Sequence, residues 1–173
     1  PLAHAIYSKR KVFLADFSTS FEEQYFKLSA DKERVKLDYV SQLANHTYLD
    51  LVQRNKSKDL AVQRSFSGVH KDEIDLQIGD FALKKYGSQG QIKSALIALK
   101  LAAYAYLSKE KNKLPFLLLD DIFEKIDDER ARVLTQLIKN DNFGQIFITD
   151  TNEERLKAFC EEIGKSYKTI VLT

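Results

Sequence analysis

The run Leu114-Pro115-Phe116-Leu117-Leu118-Leu119-Asp120-Asp121 constrains the fold more than any other stretch of the chain. Large apolar residues follow one another without polar alternation. That is the pattern of a strand covered on both faces, and such strands sit in parallel sheets with helices on either side. In open α/β sheets the ligand crevice lies beyond the carboxyl ends of the strands, where Asp120 and Asp121 emerge. Two adjacent carboxylates repel each other unless a positive group sits near, and a magnesium ion carrying phosphates is one such group. The other reading is plainer: one acid caps the next helix and its neighbour is solvated.

Upstream, residues 1–30 read as helical. Leu2, Ile6, Phe13, Leu14 and Phe17 have a helical spacing, and Ser18-Thr19-Ser20 before Glu22 and Glu23 predicts a fresh helix start. Lys9-Arg10-Lys11 is a small basic cluster, either a phosphate contact or a solvated helix face. Arg34 to Val40 alternates polar with apolar, as a half-buried strand does. Thr47 to Phe66 reads as helix with a thin apolar stripe, and Asn55-Lys56-Ser57-Lys58 suggests a break into two short helices. Gly68 to Glu73 is a polar loop before a strand at Ile74–Ile78, with a turn at Gly79-Asp80 and a hairpin return over Phe81–Lys84. His70 lies in that loop with no partner at metal-ligand spacing, which favours a structural hydrogen bond.

Tyr86-Gly87-Ser88-Gln89-Gly90-Gln91 introduces a long helix, Ile92 to Leu107, which is apolar almost all round and so is expected to be buried. Free N–H groups and the positive end of the helix dipole make its start an anion site, to which Ser88 adds a hydroxyl. An ordinary capped helix after a tight turn is the competing reading. Beyond the charged linker Lys109–Lys113 and the strand at Asp120, a helix is expected over Asp128–Asn140. A second buried strand follows at Gln145–Asp150, then a helix at Glu153–Glu162 and a closing strand at Thr169–Leu172. The alternation from residue 88 onward predicts α/β with a parallel core.

Composition narrows the function classes. Lys and Arg number 27 against 25 Asp and Glu, a net charge of +2, so charge alone makes no strong case for nucleic acid. A single cysteine excludes an internal disulfide and fits a reducing, cytoplasmic setting. The longest apolar run is too short for a bilayer. The chain begins at Pro1 rather than an initiator methionine, which reads as a fragment, and it contains no methionine elsewhere.

Taken together the motifs resemble the C-terminal half of an ABC-type ATPase head. Gly87-Ser88-Gln89-Gly90-Gln91 resembles the signature motif, and Phe116 to Asp121, about 25 residues later, resembles Walker B. Glu124-Lys125-Ile126-Asp127 resembles the D-loop. Within that superfamily the chain resembles the RecF family, related to SMC heads. The resemblance rests on Tyr-Gly-Ser-Gln-Gly-Gln, on a second acid that is Asp rather than Glu, on Gly68-Val69-His70-Lys71-Asp72-Glu73 beside the family's Gly-Pro-His-Arg-Asp-Asp, and on Phe147 to Thr151. It covers about residues 35–173.

The resemblance implies a division into part of a mainly helical arm (1–66) and the C-terminal half of the head (67–173). It implies ATP and Mg2+ as ligands, with Asp120 holding the ion directly or through water and Asp121 orienting or deprotonating the attacking water. Ser88, Gln89, Gly90 and Gln91 would meet the γ-phosphate of a nucleotide held by an opposite subunit, and Asp127 would lie at that dimer interface. It further implies an ATP-dependent homodimer on gapped DNA, with RecO- and RecR-like partners, acting in recombinational repair, replication restart and the SOS response. Departures are plain. No Gly-x-x-x-x-Gly-Lys-Ser/Thr occurs, so the P-loop of the N-terminal lobe is missing and the chain alone is expected to be inactive. Asp150 or Thr151 stands where ABC proteins place a switch histidine. Val69 replaces the usual Pro, so no role is carried to His70. The rivals are another SMC-like or defence ATPase head and a non-catalytic DNA- or partner-binding scaffold. A receiver domain would need a third acid on an early strand, and a Toprim nuclease would space its acids Asp-x-Asp.

Overall fold

The computed structural model describes residues 2–140 and 143–171. Its first element is a single 27-residue helix, α1 (Leu2–Leu28). The helix start expected at Ser18 is absent. Ser18 Oγ instead donates to Ala15 O at 2.9 Å, the way a hydroxyl is satisfied inside a helix. What carries the helix through this polar triplet is the buried stripe Leu14, Phe17, Phe21, Tyr25 and Leu28 at i, i+3, i+4 spacing. The helix ends where Ala30 and Asp31 adopt positive φ (53° and 61°).

Strand β1 (Val35–Val40) follows, and α2 (Tyr48–Val62) is one helix rather than two. Thr47 caps it by accepting from Asp50 N at 3.2 Å. At the expected break Asn55 turns its amide onto Leu51 O (3.1 Å) and Ser67 Oγ (2.8 Å), which ties the helix to the loop beyond it. Strands β2 (Glu73–Ile78) and β3 (Phe81–Ala82) form the expected hairpin around Gly79. β1 pairs antiparallel with β2 from Val35↔Ile78 to Val40↔Glu73. The short helix α3 (Leu83–Tyr86) leads into α4 (Gln89–Lys111).

Helix α4 packs against α1, and their buried faces join β1, β4 (Leu117–Asp120), α5 (Asp128–Asn140) and α6 (Glu153–Ile163) in one core. Residues on both sides of position 66 therefore share that core. β4 and β5 (Ile146–Thr149) pair in parallel, Leu117↔Ile146 to Asp120↔Thr149, as the apolar runs predict. Mixed helix and sheet with a parallel pair is the α/β class expected of an ATPase-head lobe.

Three expectations are corrected. β4 is apolar up to Asp120 but covered on one face only: Leu119 is 1% exposed and Leu118 60%. α4 likewise leaves Leu96 and Leu107 exposed, so it is not buried all round. The closing strand does not form over Thr169–Val171, and Leu172 lies outside the described residues. Ile170 and Val171 are exposed, so no packed face rewards that segment for pairing.

Cavity formation at Leu119 and simple exposure at Leu118 give opposite outcomes for the same substitution. Leu119→Ala should cost about 3 kcal/mol in urea denaturation of the chain. Leu118→Ala should stay within about 0.5 kcal/mol of wild type.

Candidate functional site

Ser88 is the N-cap of α4 in a capping box: Ser88 Oγ accepts from Gln91 N at 3.2 Å, and Gln91 Oε1 accepts from Ser88 N at 2.8 Å. This reciprocal pair uses two of the donors at the helix start. Among the described residues the N–H groups of Gln89 and Gly90 have no partner outside the helix, and Ser88 and Gln89 are exposed, which suits an anion. Gly90 permits a close approach: a Cβ there would stand 3.2 Å from Lys125 O, tighter than ordinary contact. The turn thus lies against the 124–127 segment, and the two motifs are neighbours.

Asp120 and Asp121 sit at the carboxyl end of β4. Asp120 accepts a short hydrogen bond from the Thr149 hydroxyl, which places the neighbouring strand's last residue beside the first acid. Asp121 turns sharply, with φ at 49°, and its N–H is held by Thr149 O and Oγ1, both at 3.1 Å. Its side chain shares a hydrogen bond with Glu124 that raises the Asp121 pKa and lowers that of Glu124; Lys93, from the first turns of α4, works against the rise. Among the described residues no cluster of three or more His, Cys, Asp or Glu could hold a metal by itself. The pair Asp120, exposed, and Asp121, half-buried, suits magnesium, which takes one or two carboxylates and completes its shell with water and phosphate oxygens.

The other expected positions are more constrained. Asp127 caps α5, accepting from Arg130 N at 2.8 Å and Arg130 Nε at 3.2 Å. The Asp150 carboxylate is fully buried, takes both its oxygens to Arg155 at 2.8 Å, and accepts from Asn152 N at 2.7 Å. Those bonds commit Asp150, and Thr151 beside it is exposed. In the basic cluster, Arg10 is exposed but not free: it binds Asp72 Oδ2 at 2.8 Å and Val69 O at 2.6 Å. His70 meets Ser65 O at 3.2 Å, a structural contact.

Sequence reasoning missed the residue that joins these parts. Arg130, 12% exposed, sends its guanidinium to Glu33 (3.0 Å to each carboxylate oxygen), to Asp127 and to the buried Ser94 Oγ at 2.9 Å. Glu33 also accepts from Tyr25 OH at 2.9 Å and from Gln91 Nε2 at 3.2 Å. One end of the Gln91 amide therefore closes the capping box and the other end holds Glu33. Burial pushes the Glu33 carboxyl up, yet the hydrogen bonds from Arg130, Gln91 and Tyr25 outweigh it, and its pKa is lowered. Burial pushes the Tyr25 hydroxyl up to about 12. The sequence signal was slight: an Asp-x-x-Arg pair at a helix start.

A depressed native pKa makes Glu33 stabilising above its ordinary 4.5, with that contribution lost as pH falls through the native value. Glu33→Gln should cost about 2 kcal/mol at pH 7. The gap to wild type should close as denaturation is repeated at lower pH. Gln91→Glu would preserve the capping acceptor but set a carboxylate against Glu33, so it should destabilise the chain at pH 7 and recover in acid.

No family model matches the chain. RecF of Bacteroides thetaiotaomicron, a DNA replication and repair protein, is 42% identical over 163 residues, which is 94% of this chain and 44% of that protein. Among solved structures, the recombination mediator protein RecF-ATP of the RecFOR pathway superposes with a TM-score of 0.67 and 22% identity, over 87% of this chain and 42% of that one. A chain from a study of ATP-driven dimerization and DNA-stimulated activation of SMC ATPases gives a TM-score of 0.50 and 18% identity, over 91% of this chain and 99% of that one. The chain belongs to the RecF family, corresponds to its C-terminal part, and spans less than half the length of the curated relatives it matches.

Proposed function

We propose that this chain is the signature-bearing half of a RecF-like ATP hydrolase, which dimerises around ATP on gapped DNA and helps load recombinase with RecO- and RecR-like partners in the cytoplasm. The observation that carries the reading is the capped turn at Ser88, an exposed helix start that lies against the segment ending in Asp127. Such a turn does little for its own subunit's stability beyond the cap, but it suits an anion presented from outside. The γ-phosphate of a nucleotide on a second subunit is that anion. Residues 1–66 and 67–173 differ in this reading by function rather than by packing, as arm and head.

Each residue then has one task. Asp120, oriented by the Thr149 hydroxyl, would hold magnesium directly or through water. Bound there, the ion would neutralise charge on the phosphate oxygens. Asp121, fixed by its backbone bonds to Thr149, would orient the attacking water and accept its proton. Ser88 and the N–H groups of Gln89 and Gly90 would stabilise charge developing on the transferred phosphoryl group, and Gln91 would hold that turn in shape. Asp127 would face the partner subunit, and Asp150 or Thr151 occupies the switch position. With Asp150 bound to Arg155, Thr151 is the freer of the two to reach a phosphate.

The phosphate-cradling P-loop belongs in this reading to an N-terminal lobe. β4 supports that placement, because its outer face is bare and its Leu118 carbonyl accepts Lys100 Nζ (3.1 Å) rather than a further strand. In the full-length protein, Ser88→Arg should bind ATP yet remain monomeric in sedimentation with ATP. Asp121→Asn should dimerise but hydrolyse at least 100-fold more slowly. Turnover by residues 1–173 alone that Asp121→Asn abolishes would refute the assignment of the P-loop elsewhere.

A further inference from the structure

Residues 46–71 hold five Lys or Arg against two Asp, a local charge of +3 in a chain whose net charge is +2. Part of that charge converges on one ring. Lys58 Nζ lies 4.1 Å from the Phe66 centroid, Lys71 Nζ 5.4 Å and Arg64 Cζ 5.6 Å. All three cations therefore lie within about 11 Å of one another. Among the described residues none of them forms an ion pair. The nearest acid in sequence, Asp59, uses Oδ1 to accept from Phe66 N at 3.0 Å.

The ring is held there by the loop rather than by the core. Gln42 Nε2 donates to Phe66 O at 3.1 Å, so the backbone is pinned on both sides of the ring. Ser67, next in the chain, is buried and bonded to Leu51 O and Asn55. Phe66 takes no part in the apolar core. A carboxylate at that position would order the same cations by cancelling them. An aromatic face orders them and leaves their charge available.

We infer that Lys58, Arg64 and Lys71, gathered on Phe66, form a clamp for the phosphodiester backbone of nucleic acid. The inference rests on the proposed DNA-binding function and locates part of it at the end of α2. Phosphates spaced along one strand meet cations that are already close together and ordered, so binding neutralises them without first breaking ion pairs. The contact is to the backbone and carries no sequence preference.

The test uses the full-length protein and a fluorescent duplex with a single-stranded gap, titrated from 50 to 300 mM salt. Lys58→Gln/Arg64→Gln/Lys71→Gln should weaken binding at least tenfold and reduce the slope of log affinity against log salt by about 2 to 3, at roughly 0.9 for each phosphate that is no longer neutralised. The pair Lys58→Gln/Arg64→Gln, both at exposed positions, should lose about 2 of that slope and guards against misfolding of the triple variant. Lys109→Gln/Lys111→Gln/Lys113→Gln removes equal charge elsewhere and should leave the slope nearly unchanged. Wild-type slope and affinity in the first two variants, or an equal loss in the third, would overturn the clamp while leaving DNA binding intact. A wild-type protein that binds no DNA at 50 mM salt would overturn both.

Discussion

The Glu33–Arg130 pair is the constraint on which the rest of the site depends. It joins the loop after α1 to the first turn of α5, and through Gln91 and Ser94 it reaches the first turns of α4. An arginine suits this place better than a lysine because its fork serves two carboxylates and a hydroxyl at fixed angles. A half-buried ion pair is weak evidence for stability in general, since desolvation offsets most of the attraction. Here the carboxylate's oxygens are further satisfied by Tyr25 and Gln91, so removing either charge strands the other among buried groups. Its value is geometric: three segments distant in sequence are held in one arrangement.

A second constraint comes from what the parallel pair leaves open. Two parallel strands make a thin sheet, and this one covers only its inner face. Phe116 and Phe147 stack edge to face at 6.1 Å on the outer side, beside Leu118 and exposed. Residues this apolar in a row are chosen for burial on both sides, and a bare face of this kind marks a contact surface. Lys100 at the Leu118 carbonyl satisfies one group on the unpaired edge, and the acids at the strand's end sit along that same boundary. The geometry is that of one wall of a cleft.

The parts of this fold that were legible in the sequence are those fixed by local pattern. The apolar run into Asp120-Asp121 marked β4, alternation marked β1 and β2, and the Tyr86–Gln91 turn marked the approach to α4, which begins at Gln89 rather than at the expected Ile92. Errors arose where tertiary burial overrode local chemistry. Ser18-Thr19-Ser20 carries every sign of a cap, but Phe17, Phe21 and Tyr25 bury on one side of an unbroken helix. Asn55-Lys56-Ser57-Lys58 reads as a break, yet the Asn55 amide found Leu51 and Ser67. Arg130 was invisible for a simpler reason: its principal partner is 97 residues away, and no periodicity connects them.

That distance bears on how the site works. The Ser88 turn and the 124–127 segment are far apart in the chain but come together at Gly90 and Lys125, and Arg130 binds Asp127 while Glu33 binds Gln91. Asp127 and Gln91 are thus linked through the Arg130 guanidinium and the Glu33 carboxylate, and Gln91 in turn shapes the Ser88 turn. Tyr25 closes the circuit to α1, whose buried stripe runs back as far as Leu14. The Ser88 turn and Asp127 are therefore joined to each other and to the long helix behind them by side-chain hydrogen bonds rather than through the sheet.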